Sequence, residues 1–422
     1  MTTPKPAPDR SAEASARGKD APAQQPSAAP KGIGPMVGAI FLMATSAIGP
    51  GFLTQTANFT TEMGAAFACA IALSIVVDIA IQLNVWRVLG VTGLRANELA
   101  NKLLPGLGWV LAGLVALGGL VFNIGNVGGT GLGLNLMFGL DPRVGAAIST
   151  AIAVLVFLSK RAGVALDRIV AVLGAVMIGL MIYVAFSSNP PVGEALKQTV
   201  APDTFSVIAL TTITGGTIGG YITFAGVHRL IDAGHTGPEN AEHLSKSSVS
   251  GVIVTGIMRI LLFLAVLGVV AGGAVLSKDN PGPDVFYQAA GEFGRRAYGL
   301  VLWAAGLSSV VGASFTSVSF LTKQGFDERK RGWITVGFIL VSAVVFLVLQ
   351  KTPQSLLIFA GAFNGIILPI GFGIVLWAAI FRKDLLNGYK HPVWLTVFGV
   401  IVFFGTVVMG VTSLTRLSQL WA

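Results

Sequence analysis

Residues 36–64, MVGAIFLMATSAIGPGFLTQTANFTTEMG, decide how the rest of the chain is read. The run is long and apolar enough to cross a bilayer, which takes about 20 residues. Its middle, however, is Gly49-Pro50-Gly51. Pro50 removes a backbone donor and crowds the preceding turn, and the flanking glycines remove the steric bias toward helix. A second run, residues 211–230, TTITGGTIGGYITFAGVHRL, repeats the pattern with Gly215, Gly216, Gly219 and Gly220 in its middle. Non-helical backbone at membrane depth is tolerated only where protein buries it or it lines a cavity. A single glycine-rich span also serves close helix packing, and GNVGGTGLG, residues 125–133, is expected to do that. Paired breaks, in the first and sixth spans, point instead to inverted five-helix repeats around a midplane binding site.

Composition agrees with a membrane protein. The chain has 422 residues, 53% hydrophobic and only 11% charged. Soluble domains carry about 25% charged residues. The single cysteine, Cys69, excludes a disulfide scaffold. Residues 1–33 are Pro, Ala and Ser rich and are expected to form a disordered cytoplasmic tail. No apolar segment follows a short basic start, so no signal peptide is read. Residues 34–422 then form one all-α polytopic domain. Eleven spans are expected, at 35–61, 64–89, 107–138, 144–159, 167–187, 205–231, 248–276, 297–322, 333–350, 354–381 and 393–415.

The net charge of +9 fits orientation better than nucleic-acid binding. With the N-terminus inside, only Arg143, Lys197, Lys278, Arg295, Arg296, Lys351 and Arg416 fall outside, and Arg259 falls within a span. The other twenty of the 28 Lys and Arg residues lie on the inner side, as the positive-inside rule requires. The expected placement is the inner membrane, N-terminus cytoplasmic and C-terminus outside.

Several stretches resemble the natural resistance-associated macrophage protein (NRAMP) transporters, within the LeuT-like fold of the APC superfamily. Residues 72–106, ALSIVVDIAIQLNVWRVLGVTGLRANELANKLLPG, resemble the family's second helix and following loop, including Gln82, Arg87 and Val91-Thr92-Gly93. Residues 128–140, GGTGLGLNLMFGL, resemble the end of its third helix. The resemblance implies a 5+5 inverted repeat with broken helices 1 and 6, in which a bundle of helices 1, 2, 6 and 7 moves against the rest. It places the family's Asp-Pro-Gly-Asn motif on Gly49, Pro50, Gly51 and Phe52, and its Met-Pro-His motif on Gly219, Gly220 and Tyr221. The family's acidic pair on the third helix falls on Asn123 and Asn126. The break is kept, but no carboxylate, imidazole or thioether remains at those positions to hold a transition metal.

Half-helix N-termini attract anions without a side-chain charge. The expected substrate is therefore a small organic anion or amino-acid-like solute, bound by Gly49, Pro50, Gly51, Phe52, Gly216, Gly219, Gly220, Tyr221 and Phe224. Phe52, Tyr221 and Phe224 are expected to shape its wall. Relatives within this branch are commonly encoded beside 5-oxoproline catabolism genes, and the resemblance makes 5-oxoproline a candidate. The alternative is a divalent cation (Mn, Fe or Mg), as the family name implies.

Charges inside spans are costly and usually paired or functional. Asp78 and Arg259 lie in the second and seventh spans and are expected to pair. His228 is expected at the interface. Ser308, Ser309, Ser314, Thr316 and Ser317 in the eighth span resemble the hydroxyls that hold Na⁺ in LeuT-like carriers, or else bond their own helix. Together with Asp78, Arg259, Asn123 and Asn126, the residues Ser314, Thr316, Ser317 and Asn364 form the expected polar or coupling path. No P-loop, HExxH, nucleophile elbow or CxxC occurs, so the reading is a secondary transporter and not an enzyme. It expects no cofactor or resident metal, a coupling ion (Na⁺ or a proton), and as partners only its substrate and the lipid bilayer.

Overall fold

The computed structural model describes residues 39–40, 43–44, 46–277, 280–349 and 351–415, with only the helical backbone for 160–171, 173 and 174. The chain divides into Met1–Gly32 and Ile33–Ala422. The expected tail, 1–33, lies outside the described residues. The described part is helical, with no strand among the described residues.

Fourteen α-helices are described in chain order. They are α1 (Pro50–Met63), α2 (Phe67–Thr92), α3 (Ala96–Leu103), α4 (Leu107–Phe138), α5 (Pro142–Leu158), α6 (Lys160–Ser187) and α7 (Val192–Val200). Then come α8 (Val207–Ile218), α9 (Ile222–Asp232), α10 (Ala241–Ala271), α11 (Pro281–Leu321), α12 (Glu328–Leu349), α13 (Pro353–Phe381) and α14 (Val393–Leu414). Each expected span from the second onward falls on a helix or helix pair in this order, and residues 50–61 of the first fall on α1, while its residues 35–38, 41, 42 and 45 lie outside the described residues.

Length qualifies that match. Eight described stretches are long and apolar enough to cross a membrane, and a ninth is added if the pair bent by 104° around residues 188–191 is one span. One of the eight, Pro50–Thr92, joins α1 and α2 through a break at Gly64. The expected fourth span, α5, has 17 residues and is short. The expected eighth span is the part of α11 that follows a non-helical break at Ala290–Gly291, and a further helical segment from Pro281 precedes that break. Two amphipathic helices, α3 and α7, lie between the spans where loops were expected.

Local chemistry sets the helix starts. The Asp141 carboxylate accepts from the amides of Arg143 and Val144, with Pro142 at the first helical position. Thr352 does the same for Ser355 ahead of Pro353. Capping oxygens followed by proline satisfy donors that the helix itself leaves free.

The glycine run of α4 behaves as packing predicts. α4 lies against α5, α11, α12 and α13. At Gly131 an added Cβ would sit 2.0 Å from the Pro142 carbonyl oxygen. At Gly129 it would sit 2.6 Å from Pro50 Cβ. Only a bare backbone lets these neighbours approach so closely, and the second contact seats the first break against the central helix.

Candidate transport site at the two helix breaks

The first break is built on proline. Gly49 is extended (φ −84°, ψ −176°), and α1 begins at Pro50. The amides of Gly51 and Phe52 therefore have no acceptor within their own helix. Pro50 is held between Gly129 of α4 and Gly306 of α11, where added Cβ atoms would lie 2.6 Å and 3.2 Å from its ring.

The second break is built on glycine. α8 ends at Ile218, Gly219 is extended (φ −76°, ψ 161°), and α9 resumes at Ile222 behind Tyr221. Between them Gly220 has φ 57°, in the left-handed region that side chains other than glycine rarely adopt. The Thr223 hydroxyl donates back to the Ile218 carbonyl and takes up one of the freed groups.

Both breaks face one another across buried, uncharged polar side chains. Gln55 of α1 fills the space beside Gly216 and Gly361, donating from Nε2 to the Leu357 carbonyl at 2.8 Å. Its Oε1 has no partner. Asn126 of α4 and the Tyr221 hydroxyl are both buried without a hydrogen-bond partner. Asn126 Oδ1 is 3.8 Å from the point where a Gly49 Cβ would stand, and Ser309 Oγ of α11 is 2.7 Å from the same point. Asn364 of α13 donates to the Gly118 and Ala360 carbonyls at 3.0 and 2.9 Å. Its unpartnered Oδ1 points at Gly220, 1.8 Å from that residue's Cβ position. Ser317 Oγ, also unpartnered, stands against Gly119. Gln55, Asn126, Tyr221 and Asn364 are fully buried. Buried groups left without partners are where a polar ligand or water recovers hydrogen bonds.

The expected aromatic wall is not assembled as one surface. Tyr221 meets Phe122 edge-on, with ring centroids 5.9 Å apart. Phe224 packs on Phe320 at 5.2 Å and His228 at 5.8 Å. Phe52 joins a separate apolar cluster with Phe59, Phe67 and Leu302. Phe52, in the first turn of α1, and Tyr221, just ahead of α9, belong to different apolar clusters, so each ring packs against different neighbours.

The two asparagines also diverge. Asn123 donates to Ser314 Oγ of α11 and Ser342 Oγ of α12, at 3.0 and 3.1 Å. It therefore ties α4 to the surrounding helices, and Asn126 alone reaches the breaks. Ser314 donates to the Val310 carbonyl of its own helix at 2.7 Å, and the Thr316 hydroxyl is buried without a partner.

The Asp78–Arg259 pair is present. Arg259 Nη2 lies 2.8 Å from Asp78 Oδ2, and both side chains are inaccessible to solvent. Arg259 also donates to Ser74, and Thr255 donates to Asp78. The pair locks α2, which follows the first break, to α10, which follows the second.

A further network closes one end of the same region. His228 is buried. Its Nε2 accepts from the Ala96 amide at 3.1 Å, so the proton is on Nδ1, facing Ser319 Oγ at 3.1 Å. Beside it Arg95, 1% exposed, meets Asp232 at 2.6 Å and donates to the Ser319 and Thr322 carbonyls. This joins the end of α9 to the end of α11 through the start of α3. Neither Arg95 nor Gln55 was singled out from the sequence; a lone Gln in an apolar span was the available signal for the second. Among the described residues no three His, Cys, Asp or Glu side chains converge as a metal site would need.

Comparison with known proteins places this arrangement. The family model "Natural resistance-associated macrophage protein-like" matches residues 40–416. YcsG, a membrane protein of Bacillus subtilis, is 50% identical over 390 residues, covering 92% of this chain and 96% of its own. A Haemophilus influenzae membrane protein is 47% identical, covering 92% and 98%. Among solved structures, a mutant of the Eremococcus coleocola manganese transporter superposes with TM-score 0.71 at 16% identity, over 94% of this chain and 89% of that one. MhsT in complex with L-phenylalanine superposes with TM-score 0.64 at 18% identity, over 90% and 98%. At these identities the structures share the fold alone.

Proposed function

The chain belongs to the natural resistance-associated macrophage protein-like family of membrane transporters, and on that premise we propose that it carries a small organic anion or amino-acid-like solute. The observation that carries this reading is the chemistry where the breaks meet. Gly49, Gly219 and Gly220 supply bare backbone, and Gln55, Asn126, Tyr221, Ser309 and Asn364 supply neutral donors and acceptors. The amides at the start of α1 offer an anion a positive helix end. Amide oxygens beside them suit the N–H of an amine or lactam, and 5-oxoproline combines such an N–H with a carboxylate. The fold shared with MhsT, whose structure holds L-phenylalanine, supports a solute of that size.

The mechanism follows from the joints. The half-helices α1 and α9 pivot at Gly49–Pro50 and Gly219–Gly220, while α2 and α10 move as one unit through Asp78–Arg259. Access at the α9 end requires release of the Arg95–Asp232 contact. Energy comes from a co-transported ion, Na⁺ or a proton, and orientation follows the basic residues, with the N-terminus in the cytoplasm of the inner membrane.

Family membership and the manganese transporter neighbours favour a second reading, a divalent cation as cargo. Proteoliposome uptake separates the two. Saturable uptake of labelled 5-oxoproline, dependent on a Na⁺ or pH gradient, is expected, with no saturable Mn²⁺ or Mg²⁺ uptake. Saturable Mn²⁺ uptake in the absence of organic solute overturns the proposal.

A further inference from the structure

Away from the breaks, the outer face between α2 and α10 carries two adjoining hollows. The first is an open cavity of about 930 Å³ whose lining includes Arg87, Ser245, Lys246, Glu242, Tyr389 and Trp394. The second is an apolar groove of about 310 Å³ that runs on along the same two helices past Ile79, Ile253 and Gly256. Leu83 and Val249 line both, so the first opens directly into the second. Ile253 and Ile257 are 55% and 50% exposed, as side chains that face acyl chains are. Trp394 is 59% exposed, as aromatic side chains at the headgroup level are.

The charges lining the open cavity are arranged for a zwitterion. Arg87 Nε donates to Ser245 Oγ at 2.6 Å, and Ser245 in turn donates to the Ala241 carbonyl at 2.7 Å. This holds the guanidinium in place while leaving its two Nη groups for an oxyanion. Its charge reaches His391. Lys246 pairs with Glu242 at 2.7 Å, which leaves Glu239 and Arg87 as the remaining acid and base of the lining. A lining that balances in this way complements a headgroup carrying one phosphate and one ammonium. An ammonium with N–H donors also satisfies carboxylates, which a quaternary ammonium does not. Basic pockets between membrane helices are known lipid headgroup sites.

We propose that this face holds one ethanolamine glycerophospholipid, with its phosphate on Arg87, its ammonium toward Glu239, and one acyl chain in the groove beside Gly256. The groove has space for a chain: a Cβ on Gly256 would meet only Ile75, at 3.6 Å. Since α2 and α10 are locked through Asp78–Arg259, the lipid braces the unit that moves in transport.

The test uses the full chain purified and delipidated in detergent. Native mass spectra and thermal midpoints are recorded after adding ethanolamine, glycerol or choline phospholipids with identical acyl chains. A 1:1 ethanolamine adduct that survives activation, with a larger rise in midpoint than the other two give, is expected. Arg87→Gln should weaken the adduct at least tenfold by removing the phosphate contact. Gly256→Phe should weaken it independently by filling the acyl groove, so a misfolded Arg87 variant does not leave the idea untested. Equal shifts from all three lipids, or adducts unchanged in both folded variants, overturn it. So does a wild-type spectrum showing a second copy of the chain at this face, lost in Gly256→Phe, with no lipid bound.

Discussion

The first break turns on Pro50 behind an extended Gly49, whereas the second turns on Gly220 at φ 57° with no proline nearby. The difference lies in what enforces each joint. At the first, the backbone angles are ones that any residue adopts, and the break is held by the missing donor of Pro50 and its seat between Gly129 and Gly306. At the second, the backbone itself demands glycine, and the Asn364 carboxamide occupies the space a side chain would need. Pseudo-symmetric positions therefore share a role while resting on different physical causes: packing of a ring in one case, chirality of the backbone in the other.

The largest test concerns what joins the two halves. Arg259→Met leaves Asp78 buried and unpaired between α2 and α10, which should cost about 3–5 kcal/mol and abolish uptake. Replacing both, Asp78→Leu with Arg259→Met, should recover most of the thermal midpoint in detergent. If the single substitution leaves both midpoint and uptake intact, the two break-following helices are not coupled through this pair.

Next is Gly220→Ala. A left-handed alanine and the contact with Asn364 together should cost roughly 2–3 kcal/mol, read as a lower midpoint with loss of uptake. Adding Asn364→Ala relieves the contact but not the angle, so only part of the midpoint should return. Full recovery would mean that crowding, not chirality, makes Gly220 necessary.

Pro50→Ala should be milder, about 1 kcal/mol, with slowed rather than abolished uptake. A Pro50→Ala variant more damaged than Gly220→Ala would reverse the ranking of the two joints.

The smallest effect serves as the blank for both. His391 lies outside the spans, with Nε2 2.9 Å from Asn84 Oδ1. Burial, and secondarily the Arg87 charge, lowers its pKa to about 4. The folded protein thus holds His391 neutral where an unfolded chain takes up a proton near pH 6.5. Stability is unaffected above pH 7 and falls as the pH drops from 6.5 toward 4. Allowing for partial exposure, the loss at pH 5 is roughly 1 kcal/mol, a few degrees in midpoint. His391→Gln should flatten that slope without altering uptake at pH 7.

Much of this was legible before any coordinates. Long apolar runs announce spanning helices because a bilayer leaves no other way to satisfy the backbone. Gly49-Pro50-Gly51 and the Gly215–Gly220 run announce breaks for the same reason. Asp78 and Arg259 announce each other, since neither charge is stable alone in such runs. Other features left weaker traces. Helices α3 and α7 are too short and amphipathic to show as spans. The kink at Ala290–Gly291 has no proline to mark it. Asn123 and Asn126 stand three residues apart, on neighbouring parts of one helix face. Which of them meets the breaks depends on where α11 and α12 pack.

Hydrophobic length, chain breaks and unpaired charges are local properties, and they were enough for the membrane and the two joints; the family came from the resemblance of residues 72–106 and 128–140. The membership of the site was decided by contacts between residues far apart in the chain. Gln55 belongs to it because α8 and α13 close around it with glycines, and Asn364 because Gly220 turns left-handed beneath it. Phe52, equally near a break in sequence, belongs elsewhere because its helix packs into a different apolar cluster. Helix geometry fixes which residues share a face; only the packing of one helix on another determines what that face meets.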